Sequence, residues 1–179
     1  TMLDHGVKKY SKPVGIFAFT WRIILTTGTG SIFGFLVARE AYATAILAPL
    51  FIVMSLLYGV AVYYLLFVII NKLHKTIIEP EVIENLEKLT VMFLFANLYF
   101  LFLYHLTNMY ISKHLEFEIF ILFNGGVYTA AFWLGQVLIG IILPLTFLLT
   151  NKMCSYFSLL ISSLFILFGS FMSMFVIII

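Results

Sequence analysis

Tyr104, His105 and Asn108 fall within one run, FANLYFLFLYHLTNMY, residues 95–110, with Asn97 two helical turns earlier. An imidazole takes up and releases a proton near neutral pH. A phenol and an amide beside it can hold a quinone carbonyl. These are the residue types that quinol oxidation needs, because its electrons and protons leave together. At ~100° per residue, Thr90, Asn97, Tyr104 and Asn108 lie within ~40° of one another on a helix, and His105 lies ~80° to one side. The run is otherwise rich in Phe and Leu. Polar groups exposed to lipid tails are costly, so the stripe is expected to face protein, water or a ligand. Hydrogen bonding between helices, worth roughly 0.6 kcal/mol per contact, competes with function for Asn97 and Thr90.

Other segments add candidates. Arg22, Thr26 and Thr29 share a face within ~60°. An arginine inside a membrane marks function by default, although its stem can snorkel to an interface. The run TGTGS at 27–31 has neither the lysine nor the preceding strand of a phosphate loop, so close helix packing explains its glycines better. Thr129 and Gln136 share a face, with Trp133 nearby and Pro144 beyond. Pro144 lacks a donor and crowds the carbonyl of Gly140, which predicts a kink. Glu116 and Glu118 follow Lys113 and His114 at a span boundary, where they form either the mouth of a proton path or an ordinary interfacial loop. Ser155, Ser158, Ser162, Gly169 and Ser173 read as a small-residue packing stripe. A bis-histidine haem needs facing histidines at matching depth, and only His105 is clearly intramembrane, so neither haem nor metal is expected here. Cys154 is the sole cysteine, which rules out an internal disulfide and any cysteine-ligated cluster or zinc site.

The elements that must position these groups are membrane helices. The chain has 179 residues, 63% hydrophobic and 10% charged, where a soluble domain carries about 25% charged residues. With 20 Phe, 10 Tyr and a mean hydropathy of +1.13, it reads as an all-α, polytopic transmembrane bundle. Disorder, a soluble enzyme and nucleic-acid binding are excluded. A span needs about 20 apolar residues. Five segments qualify, approximately 14–37, 43–71, 89–112, 126–150 and 155–179, within a single transmembrane domain. The polar stretch 71–88 reads as a solvated loop, with Pro80 and the acidic Glu81, Glu84 and Glu87 suggesting a helix start. Lys8, Lys9, Lys12, Lys72, Lys75, Lys88 and Lys152 fall on one side against Arg39 and Lys113 on the other, which places the N-terminal side in the cytoplasm. No cleavable signal peptide is evident. The start at Thr1 and the stop within SMFVIII suggest a part of a longer protein.

At VAREAYATAILAPLFIVMSLLYGVAV, residues 37–62, the chain resembles the NrfD-type membrane subunits of the polysulfide reductase family. The family's run is roughly A-R-x-x-W-x-T, then P-x-x-F, then G-x-A. Ala38, Arg39, Thr44, Pro49, Phe51 or its neighbour, Gly59 and Ala61 stand in those places, with Tyr42 where Trp is usual. NGGVYTAAFWLGQVLIGIILPLTFLL, 124–149, is similar in its Gly126, Tyr128, Phe132, Trp133 and Pro144, and Tyr110 and Ser112 stand where such proteins often show Tyr-Ser. The resemblance covers nearly the whole chain and corresponds to the C-terminal half of a family member. It implies a haem-free bundle in a prokaryotic cytoplasmic (inner) membrane, exchanging electrons between a menaquinone or ubiquinone and a docked iron–sulfur subunit. Molybdopterin or multihaem cytochrome subunits are further partners it implies, and some relatives are thought to couple the reaction to proton translocation. The family's best-known quinone pocket lies largely among N-terminal helices outside this match.

Three functions follow from these readings. The first is a quinone-interacting subunit of a respiratory oxidoreductase without a redox centre of its own. Tyr104, His105 and Asn108 would then line a quinone or proton site, helped by Asn97, Gln136, Arg22 and Arg39. The second is a non-catalytic membrane anchor, in which the polar stripe is packing. The third is a small-solute or ion transporter, which the absence of a paired inverted repeat disfavours.

Overall fold

Away from water, a single segment can satisfy its own backbone N–H and C=O groups only as a helix. The computed structural model describes residues 2–34, 44–74, 80–150 and 156–178, and these form an all-α bundle with no strand among them. Its elements are α1 (Met2–Gly34), α2 (Leu47–His74), α3 (Pro80–Tyr110), α4 (Leu115–Ile119), α5 (Val127–Ala130), α6 (Leu143–Thr150) and α7 (Tyr156–Ile178). Two stretches wind more widely, as π-helix: π1 (Phe120–Asn124) continues α4, and π2 (Ala131–Ile142) joins α5 to α6.

Four stretches are long and apolar enough to cross a membrane, Leu47–Leu73, Pro80–Tyr110, Val127–Thr150 and Phe157–Val176. The chain is a multi-pass membrane protein. The first expected span, 14–37, is helical through Gly34 in α1 but is not one of these four. Arg22 and the threonine–glycine run after it dilute its apolar character. The polar stretch 71–88 is also more helical than a loop. α2 runs to His74, and α3 begins at Pro80, whose missing N–H has no partner to lose in a first turn. Glu81 in that turn sits at the positive end of the helix dipole.

α2 is the hub of the bundle, packing on α1, α3 and α7. Leu57, Ala61, Tyr64 and Val68 form its buried stripe and meet Leu94 and Leu101 of α3, Leu159 and Ile166 of α7, and Ile141 of π2. Large side chains such as Tyr99, Phe102 and Phe171 point outward, as expected where the solvent is lipid. π2 and α7 touch through small residues. A Cβ on Gly169 would stand 2.2 Å from the Cα of Gly140, so no larger residue fits there. Ser162 and Ser173 of α7 are fully buried in the same stripe. Upstream of Pro144 the backbone takes the wide winding, and Leu143 N–H donates to Leu138 O, five residues back. Gly126 precedes α5 with φ +57°, a conformation in which a side chain would be strained.

Candidate functional site

The polar stripe of α3 faces inward. Thr90, Asn97, Tyr104 and Asn108 are all buried, at 8% exposure or less. Thr90 spends its hydroxyl proton on Leu86 O, which makes it a packing residue. Asn97 lies two turns from the site on the same stripe, and its Oδ1 has no hydrogen-bond partner among the described residues.

Past the end of α3 the chain turns back through His114 into α4, and this reversal puts Glu118 against the last turns of α3. The Glu118 side chain is fully buried. Its Oε2 lies 2.8 Å from His105 Nδ1, and its Oε1 accepts from Asn108 Nδ2 at 2.8 Å. Asn108 Oδ1 in turn lies 3.2 Å from Nδ1 of His114, itself buried. The directions in this chain are fixed by elimination. Asn108 donates through its amide nitrogen to the carboxylate, so its oxygen accepts and His114 Nδ1 must carry the hydrogen. A carboxylate accepts, so Nδ1 of His105 is the donor of this pair, and in the neutral imidazole Nε2 is then the acceptor. A buried carboxylate is tolerable only with partners of this kind, because desolvation of an isolated charge costs several kcal/mol.

His105 stands between two spaces. On one side is an internal cavity of about 30 Å³, lined by Tyr104, His105, Gln136 and Ser173 among apolar neighbours. That is room for about one water molecule, with polar groups enough to bind it. On the other side is an open, apolar cleft of about 250 Å³ between α3, π1 and π2 on the outer face of the bundle. Leu98, Phe102, Met109 and Val137 line it, and among the described residues His105 is its one ionisable group. Phe132 packs edge-on against the imidazole at 4.7 Å, and Tyr104 does so at 5.2 Å from within α3. Trp133 Nε1 donates to Leu122 O at 3.1 Å and pins the far wall of the cleft. The site can therefore pass a proton between an apolar, ligand-sized cleft and a buried polar row.

The expected residues divide among these places. Tyr104, His105, Asn108, Gln136 and Glu118 gather here. Glu116, its companion at the expected proton-path mouth, is exposed, whereas Glu118 is buried. Arg22 lies elsewhere, in a groove between α1 and α2 with Thr26, Thr29, Ser55 and Tyr58. Arg39 falls outside the described residues. His114, read from sequence as part of an interfacial loop, belongs to the buried row. The spacing His114–Glu118, one helical turn, was the signal for it. Ser173 was read as packing and also lines the internal cavity. Among the described residues, no group of three or more His, Cys, Asp or Glu side chains is placed to hold a metal ion.

No solved structure matches the chain significantly. An integral membrane subunit of an Hdr-like menaquinol oxidoreductase from Archaeoglobus fulgidus is 26% identical over 148 residues, which are 82% of this chain and 37% of that relative. The polysulphide reductase NrfD family pattern matches residues 3–179. In sequence and in its all-helical, multi-pass architecture, the chain belongs to the NrfD polysulphide reductase family.

Proposed function

We propose that this chain is a quinone-linked membrane subunit of a multi-subunit oxidoreductase, and that the cleft beside His105 receives the quinol headgroup from the bilayer. One observation carries the reading: a histidine oriented by a buried carboxylate forms the only ionisable point, among the described residues, on the wall of an apolar cleft open to the outside of the bundle. The cleft volume lies just under the ~300–1,000 Å³ of typical ligand pockets. That suits a headgroup whose isoprenoid tail remains in lipid. The menaquinol named for the archaeal relative is a substrate of this type.

A quinol hydroxyl placed against His105 Nε2 would give up its proton there, and the second hydroxyl's proton would follow through the same imidazole once the first has moved on, as the two electrons leave. Glu118 holds Nδ1–H, fixes the tautomer and stabilises the imidazolium that forms. Asn108 and His114 extend the row toward the surface near Lys113 and Glu116, while Tyr104 and Gln136 offer a route into the internal cavity. The electrons pass to a redox centre in a docked partner, an iron–sulfur subunit in this reading. Net proton translocation would require the two routes to open to opposite sides of a prokaryotic inner membrane.

The test is quinol turnover in the assembled, purified complex. His105→Ala should lower it about 10²–10⁴-fold, the range of a lost general base, with assembly intact. An assembled variant turning over like wild type removes His105 from the reaction. A second reading, a non-catalytic anchor, draws on the same row of hydrogen bonds as a staple between α3 and α4. In that case His105→Ala would reduce the yield of complex and leave turnover per complex unchanged.

A further inference from the structure

The groove that holds Arg22 is not explained by the quinone site. α1 and α2 run antiparallel, since Gly30 abuts Ala48 while Arg22 abuts Ser55 and Leu56. Arg22 is eight residues from the Gly30 contact, about 12 Å along the helix, and ten residues from Lys12, about 15 Å the other way. On α2, one of the membrane-length stretches, this register sets Arg22 beside Ser55 and Leu56, eight residues in from Leu47, and its side chain is exposed on the surface of the bundle. The ion pairs among the described residues are Lys88–Glu84 and His105–Glu118, and Arg22 is in neither. Its polar neighbours do not compensate. Thr26 and Thr29 donate to the carbonyls of Arg22 and Leu25 at 2.8 and 3.0 Å; their oxygens can accept a hydrogen bond but carry no charge, and among the described residues no carboxylate lines the groove. The groove measures about 330 Å³ and is completed by Phe51, Met54 and Met174. Beside it α1 presents Trp21, Ile24 and Leu25, each more than half exposed.

We propose that this groove docks a further transmembrane helix, lying outside these 179 residues, that carries an Asp or Glu opposite Arg22. The charge and the depth select that occupant. An arginine within a membrane pairs with an acidic group or faces a polar interior. A lipid phosphate belongs to the headgroup level, about 12 Å along α2 from this position if Leu47 marks the span's end, and the crosslink below tells it from a carboxylate. A quinone carbonyl accepts a hydrogen bond but does not neutralise the cation. A carboxylate on a packed helix does both at the required depth, and its helix covers the apolar ridge of α1. This inference is independent of the quinone reading.

The experiment places a photoreactive phenylalanine analogue at Leu25, on the rim of the groove, in the full complex in native membranes, and identifies the adducts by mass spectrometry. The expected adduct is a single membrane-spanning peptide that contains an acidic residue. Its yield should fall about tenfold in Arg22→Leu and stay within about twofold in Arg22→Lys. Exchanging the charges, Arg22→Glu with the partner acid changed to Arg, should restore the adduct. This double variant also reads the contact if Arg22→Leu does not accumulate. Adducts with lipid alone, with a peptide lacking an acidic residue, or with a yield indifferent to the charge at position 22 would overturn the proposal.

Discussion

The sharpest perturbation is Glu118→Gln, which changes one oxygen to an NH₂ group in a fully buried side chain. Glu118 accepts from two donors, His105 Nδ1–H and Asn108 Nδ2, both at 2.8 Å. A glutamine has one acceptor oxygen, so only one donor can keep its bond. If the amide oxygen faces Asn108, the new NH₂ faces His105 Nδ1, which must then become the acceptor. The hydrogen moves to Nε2, the atom that faces the cleft, and the lone pair that would take the substrate proton is lost. Volume and most contacts are preserved, so the stability cost is that of about one weakened charge-assisted hydrogen bond, ~1.5–3 kcal/mol. The kinetic cost is that of a general base in the wrong tautomer, about 10²–10⁴-fold. Glu118→Ala differs in kind, because it strands the buried Asn108 amide and the partly buried His105 Nδ1–H, at up to ~1–3 kcal/mol each, and should lower the yield of complex. The assay is oxidation of a soluble quinol analogue by purified complex, normalised to assembled subunit, beside a thermal melt in detergent. A Glu118→Gln complex that turns over within about twofold of wild type while melting lower would refute the chemical role and leave only the staple.

Gly169→Ala should disrupt the contact of π2 with α7, because the new methyl would fall 2.2 Å from Gly140 Cα. A loss of about 1–3 kcal/mol or more is expected, read as a lower melting temperature. Gly59→Ala is the matched control, since nothing lies within 4 Å of a Cβ there, and it should be neutral or stabilise by up to ~1 kcal/mol. Trp133→Phe keeps the ring and removes the bond to Leu122 O, so it should cost ~1 kcal/mol and loosen the cleft wall, raising KM more than it lowers kcat. Lys88→Ala breaks an exposed pair with Glu84 and should change stability by no more than ~0.5 kcal/mol in a denaturation series.

Much of the architecture was legible because lipid imposes a simple rule. Apolar runs long enough to span must become helices, so the all-α class and four spanning stretches follow from hydropathy with little reference to tertiary contacts. The inward direction of Thr90, Asn97, Tyr104 and Asn108 was equally available, since helical periodicity places them on one face and lipid rejects that face. The stripe on α7 could be read as packing for the same reason. What periodicity could not supply was the partner of each polar group. Glu116 and Glu118 are two residues apart and look alike in sequence, yet one is exposed and the other is buried against His105 and Asn108. That difference arises where the chain reverses at His114, and a reversal is decided by how α4 packs against α3, not by hydropathy. Arg22 shows the same limit. Its residue type and depth suggested a place beside the histidine, but the register of α1 on α2, set by the close approach of Gly30 to Ala48, carries it to another groove. Local patterning thus determined which residues must avoid lipid. Only the tertiary structure decided which of them meet, because a hydrogen bond depends on distances of a few tenths of an ångström between segments far apart in the chain.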